Sequence, residues 1–281
     1  MLWQRVVTAV VLLLVLLPAL FYPSPVPFAL VAMAFIAAGA WEWARLTTYG
    51  APTAVATGLL TSLACALAWM AGLLEQSLTA LWVVAAVLWV PGGAWLLRGG
   101  PAALAVVPRS VRLVLGAVLL CLAWLAVAQA RMLGVNFLLS VMALVWVADI
   151  GAYFAGRRWG GRWIHRKLAP SISPGKSWEG VAGGMVGVLV LSLVWRWADV
   201  HWQVEAPSIF THLAGTLDWL ALPALLALTA MSVAGDLLES LLKRVAGAKD
   251  SSALLPGHGG VLDRLDALLP TLPLALLFHA L

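Results

Sequence analysis

Residues 217–266 read LDWLALPALLALTAMSVAGDLLESLLKRVAGAKDSSALLPGHGGVLDRLD. The first half is apolar over the length of a membrane crossing, which takes about 20 residues. The second half, from Gly235, holds five carboxylates (Asp236, Glu239, Asp250, Asp263 and Asp266) together with Lys243, Arg244, Lys249, Arg264, His258 and a Gly-Gly pair. Charge inside or beside membrane-spanning sequence is costly and marks function by default.

The rest of the chain is mostly apolar. Its 281 residues are 63% hydrophobic and 10% charged, with a mean hydropathy of +0.99. A soluble domain is about a quarter charged. The composition therefore predicts an all-α polytopic integral membrane protein with no soluble domain. Nine transmembrane helices are expected, at about 6–22, 28–45, 54–74, 78–97, 111–130, 135–156, 178–198, 217–242 and 264–281. Many of the sixteen tryptophans fall near span ends, as an interfacial belt requires. The first segment has a basic start but no small-residue cleavage site, so it reads as an uncleaved span. Cys65 and Cys121 sit within apolar runs and read as packing residues.

The formal charge of +5 is a topology signal and implies no nucleic-acid partner. With the N-terminus inside, the inner loops hold Arg45, Arg98, Arg109, Arg112, the run from Arg157 to Lys176, and Lys243, Arg244 and Lys249. The outer loops hold little beyond Arg131 and Arg196. This places the 235–266 stretch at the cytoplasmic face of the inner membrane and the C-terminus outside.

The first five spans look quiet. Glu42, between Trp41 and Trp43, reads as an interfacial charge, and Pro91-Gly-Gly as a kink or a close contact. Residues 1–134 are accordingly expected to be scaffold and 135–281 the catalytic region. In the sixth span Asp149 lies about two turns from the inner end and needs a polar partner. The loop that follows is basic. Its Gly175-Lys176-Ser177 lacks the glycine of a Walker loop, Pro170 standing in that place, yet it suits phosphates or anionic headgroups. Gly180, Gly183, Gly184 and Gly187 predict close helix packing, at a subunit contact or within the chain. His201 and His212 have no ligand cluster around them, so no metal is expected there.

Asp236, Glu239, Ser240 and Lys243 are spaced i, i+3, i+4 and i+7 and share one helix face. An oxygen-rich set without cysteine suits a hard cation such as Mg²⁺, which binds through one or two carboxylates plus substrate phosphates. Neighbouring cations would stabilise transferring phosphoryl groups. The residues thus point to a metal-dependent phosphoryl or nucleotidyl transferase acting on a membrane substrate. A cation-coupled transporter is the alternative, disfavoured by so many fixed positive charges.

Three blocks then carry a resemblance. Ser240-Leu-Leu-Lys243-Arg244, Lys249-Asp250-Ser251-Ser252 and Pro256-Gly-His258-Gly-Gly-Val-Leu-Asp263-Arg264-Leu-Asp266 form the first. Asp149-Ile-Gly-Ala-Tyr153 with Gly156-Arg157, and Ser173-Pro-Gly-Lys176-Ser-Trp-Glu179-Gly180, form the others. Together they resemble the phosphatidate cytidylyltransferase family over about the C-terminal half. Ser252 departs from the pattern, where glycine is common. The resemblance implies transfer of CMP from CTP to phosphatidic acid in a Mg²⁺-dependent, homodimeric membrane enzyme, with a K⁺ ion also implied. Mapped here, it makes Asp236 and Asp263 the leading metal ligands, with Asp149 and Glu239 next. Lys243, Arg244 and Lys249 are assigned to the phosphates, with Ser240 and Lys176 close by. His258, Gly259, Gly260 and Arg264 are expected to shape the substrate loop. A CTP-dependent lipid kinase or another lipid-phosphate cytidylyltransferase shares the same features.

Overall fold

The computed structural model describes residues 2–281, with side chains from Trp3 onward. In chain order the helices are α1 (Leu2–Phe21), α2 (Val26–Leu46), α3 (Ala51–Met70), α4 (Thr79–Val87), α5 (Gly93–Val106), α6 (Arg109–Leu133), α7 (Val135–Trp159), α8 (Trp178–His201), α9 (Ile209–Thr216), α10 (Ala221–Val245), α11 (Leu262–Leu265) and α12 (Leu268–His279). No strand is present among the described residues.

Among the described residues, eight helical units are long and apolar enough to cross a membrane: α1, α2, α3, the α4–α5 unit, α6, α7, α8 and α10. The ninth expected span, 264–281, is not among them. Asp266 separates the four-residue α11 from the 12-residue α12. Residues 268–276 of α12 are buried without interruption. A helix enclosed by protein on all sides has no need to match the bilayer thickness, which explains why a short one suffices. It leaves the carboxylates around Asp266 and ends with His279 against His212 of α9, ring centroids 4.2 Å apart.

The α4–α5 unit runs to Val106, but Gly100, at φ +60° and ψ −150°, breaks it into two, so its first stretch ends close to the expected 97. Within the first stretch Pro91 removes a backbone donor, and Leu88–Gly92 form a π turn. Close contact occurs there too, since a Cβ on Gly93 would lie 3.0 Å from Leu238 Cδ1 of α10.

The glycines of α8 are used within the chain. A Cβ on Gly184 would stand 2.7 Å from the Ala148 carbonyl oxygen of α7, and one on Gly180 would stand 2.9 Å from that of Ala152. Gly151 of α7 answers from the other side, its missing Cβ 2.8 Å from the Gly183 oxygen. Backbone therefore touches backbone along this pair, and Asp149 is carried on it.

Polar pins close the bundle. Arg131 of α6 donates to the carbonyls of Leu20 and Tyr22 at the end of α1, at 2.8 and 2.6 Å. Trp124 Nε1 donates to the Ala29 oxygen at 2.9 Å. Asp199, at the far end of α8, is buried and accepts from Asn136 and from the Ser208 N–H. Cys65 and Cys121 are free thiols 3.8 Å apart.

Candidate active site

The site forms where the C-terminal ends of α7 and α10 meet the N-terminus of α8. Ser177 caps α8 by accepting from the Gly180 N–H at 3.2 Å. Arg157 and Arg158 lie in the last turn of α7 and Lys243 and Arg244 in that of α10, where cations oppose the helix dipole. A cavity of about 510 Å³ opens between these helices, lined among others by Asp149, Tyr153, Arg157, Lys176, Ser177 and Asp236.

The helical stripe predicted on α10 is present. Asp236 Oδ2 accepts from Lys176 Nζ at 2.6 Å, and its Oδ1 accepts from Ser240 Oγ at 3.3 Å. One turn on, Glu239 is ion-paired with Lys243, which also binds Asp263 Oδ1 at 2.6 Å. The predicted carboxylates thus divide into two groups. Asp149 and Asp236 face the cavity, whereas Glu239 and Asp263 are both held by Lys243. Among the described residues no three His, Cys, Asp or Glu side chains stand ready-made around one point.

Asp263 is also an anchor. Its Oδ2 accepts from the Ser251 N–H at 2.9 Å, Ser251 Oγ at 2.8 Å and the Gly260 N–H at 2.8 Å. Burial alone would raise its pKa, but Lys243 and the N–H groups of Gly260 and Ser251 outweigh it and hold the value at about 2. Gly259, at φ +83°, makes this turn, and a Cβ on it would lie 2.8 Å from Asp263 Oδ2.

Asp266, just beyond, behaves in the opposite way. Burial and the negative charges of Asp236 and Asp149 push its pKa up to about 7, against the Ala267 N–H and Lys243. The surplus of negative charge around Asp149, Asp236 and Asp266 is what a bound cation would neutralise, and the donors are all oxygen. The residues therefore fit a hard divalent ion.

Other expected residues sit further out. Arg244 Nε donates to the Ile172 carbonyl at 3.1 Å and ties the loop before α8 to α10. Lys249 is exposed beside the site. His258 contributes its carbonyl, which accepts from Arg264 Nε at 3.1 Å, while its buried Nδ1 has no partner. The Gly260 N–H is directed at Asp263, as described above.

Glu42 is the main correction. Expected at the interface, it is fully buried at 0% exposure and reaches the site from α2. Its carboxylate accepts from the N–H groups of Val261 and Leu262 at 2.9 and 2.7 Å, from Ser251 Oγ at 3.2 Å, and from Ser252 Oγ. Ser252, the one departure from the resemblance, thus donates its hydroxyl to the Glu42 carboxylate. A Cβ on Gly260 would strike Glu42 Oε1 at 2.4 Å, so glycine is required there. One signal was available: Glu42 is an acid beside membrane-spanning sequence, and the rule applied to Asp149 applies to it equally. Asp266, Tyr153, Arg157 and Glu179 belong to the same sequence motifs, and their places at the site follow only from the fold.

Fold and site together define a polytopic α-helical membrane protein with a cavity lined by carboxylates and cations at one end of its bundle. The model of the cytidylyltransferase family matches residues 3–281. A phosphatidate cytidylyltransferase of Pseudomonas aeruginosa is 39% identical over 293 residues, covering 100% of this chain and 98% of the relative. One from Haemophilus influenzae is 36% identical over 298 residues, covering 99% of each. The chain belongs to the cytidylyltransferase family and is a nucleotidyltransferase.

Proposed function

We propose that the chain transfers CMP from CTP to phosphatidic acid, giving CDP-diacylglycerol and pyrophosphate, at the cytoplasmic face of the inner membrane. The observation that carries this reading is the cavity where Lys176 and Asp236 meet beside Asp149, at the end of an apolar bundle. Acyl chains stay in lipid while the headgroup enters from the side and the nucleotide from water.

A phosphatidate phosphate oxygen attacks the α-phosphorus of CTP, and the bond from that phosphorus to the bridging oxygen of pyrophosphate breaks. The nucleophile is already an anion, so no strong general base is needed and His258 is not given that role. Lys176 and Arg157 line the cavity and bind phosphate oxygens. Lys243, ion-paired to Glu239 and Asp263, fixes the second carboxylate group against α10. Glu42 and Asp263 hold the 250–262 segment, and Lys249 and Arg264 border it. Asp149 and Asp236, with Asp266 behind them, would hold Mg²⁺, which when bound supplies charge neutralisation at the phosphates. A K⁺ ion belongs to the same proposal, as does a two-copy assembly. That assembly draws no support from the α8 glycines, which face α7.

The test is conversion of labelled CTP and phosphatidic acid by the purified chain in detergent with Mg²⁺. CDP-diacylglycerol is the expected product. A phosphorylated lipid with CDP released would favour a lipid kinase. Failure where a control enzyme works would overturn the reading.

A further inference from the structure

The segment from Arg157 to Lys167 leaves α7 and returns toward the cavity. It carries five cations, Arg157, Arg158, Arg162, Arg166 and Lys167, and no acidic residue. All five are exposed, and among the described residues none is ion-paired. The turn is built to hold one shape. Gly160 has no room for a side chain, since a Cβ would lie 2.3 Å from the Gly156 carbonyl oxygen, and Gly161 has φ +78°. Across this turn Trp159 and Trp163 stack, ring centroids 6.1 Å apart and planes 15° from parallel. Trp163 is 69% exposed and Ile164 beside it 46%.

The brace beneath the turn is Glu179, itself only 3% exposed. Its Oε1 accepts from the N–H groups of Trp163 and Ile164, at 3.0 and 2.9 Å. A loop whose sole task is to mark the inner side of the membrane needs charge but no fixed conformation. Here a buried carboxylate is devoted to holding two apolar side chains outward among five cations. Tryptophan at the level of the headgroups, flanked by lysine and arginine, is the chemistry of an anionic lipid surface. Arg157 joins this surface to the active site, because it also lines the cavity and donates to Tyr153 Oη at 2.9 Å.

We infer that the 157–167 loop is a lipid-collecting surface that binds the phosphomonoester headgroup of phosphatidate ahead of the reaction. It rests on the transferase reading above. A phosphomonoester carries more charge than the diester of a bulk phospholipid, so clustered free cations favour it. Trp163 and Ile164 seat the loop in the interface, Arg158, Arg162, Arg166 and Lys167 gather the headgroup, and Arg157 stands where it enters the cavity.

Two measurements on the full chain test this. In the first, the triple variant Arg162→Gln, Arg166→Gln, Lys167→Gln is assayed in mixed micelles. The KM for long-chain phosphatidate should rise about 100-fold, given the attraction that each of the three cations contributes near an anionic surface, while kcat and the KM for CTP stay put. An unchanged phosphatidate KM, or a shift in the CTP value instead, overturns the inference. The second is hydrogen exchange of residues 157–167 without CTP, so it stands even if the enzyme reading fails. Phosphatidate in the micelle should slow exchange there and phosphatidylcholine should not. Equal effects of the two lipids, or none, overturn it.

Discussion

Asp236, at the cavity, and Asp263, the anchor of the 250–262 segment, should respond differently to the same substitution. Asp236→Asn removes a charge at the cavity while leaving the amide able to meet Ser240 and Lys176, so turnover should fall about 100-fold or more with little change in melting temperature. Asp263→Asn disturbs the partner of Lys243 and three further donors, so stability should fall with activity, by about 3 kcal/mol. Product assay and thermal unfolding in detergent separate the two. Asp263 also sets a pH dependence. Its folded pKa of about 2 lies below the ordinary value near 3.9, so its contribution is complete above about pH 4 and is lost as pH falls toward 2. The melting temperature should drop through that window, and less steeply in Asp263→Asn. Glu42→Ala strands three donors, the N–H groups of Val261 and Leu262 and the Ser252 hydroxyl, and should cost about 3 kcal/mol or more, with protease cutting first between residues 248 and 262. The residues of α10 were legible in the sequence because helical periodicity alone puts them on one face. The pairing of Glu42 was not, because its partner Ser252 is 210 positions away and nothing local announces it.

At the scale of elements, the α7–α8 pair decides whether the two halves of the cavity face each other. Asp149 and Tyr153 come from one helix, and Lys176 and Ser177 precede the other. Gly184→Leu would drive a side chain into the Ala148 carbonyl, so the helices must part. The expected result is loss of at least about 2 kcal/mol of stability and a steep fall in activity. Gly215→Leu, at a position with open space around it, serves as the control in the same melting and product assays. Hydropathy located the helices well, because a bilayer demands continuous apolar length. It misjudged the last one, since a helix wrapped by its own chain is released from that demand. The glycine spacing foretold tight packing but could not name the partner, and the structure gives it to α7.

For the molecule as a whole, orientation is the statement most open to a direct check. With Cys65 and Cys121 replaced by serine, a cysteine at exposed Lys249 should stay unlabelled by an impermeant maleimide in spheroplasts, and one at exposed Gln203 should react. Inverted vesicles should reverse the pattern, and labelling of both from one side would refute the proposed topology. The reach of Glu42 across the molecule has a consequence for biogenesis. The ribosome delivers α2 to the bilayer some two hundred residues before it makes the hydroxyl that receives this acid. Until then the nascent protein carries an unanswered charge among greasy helices, a mark by which a membrane chaperone or protease can tell an unfinished copy from a finished one.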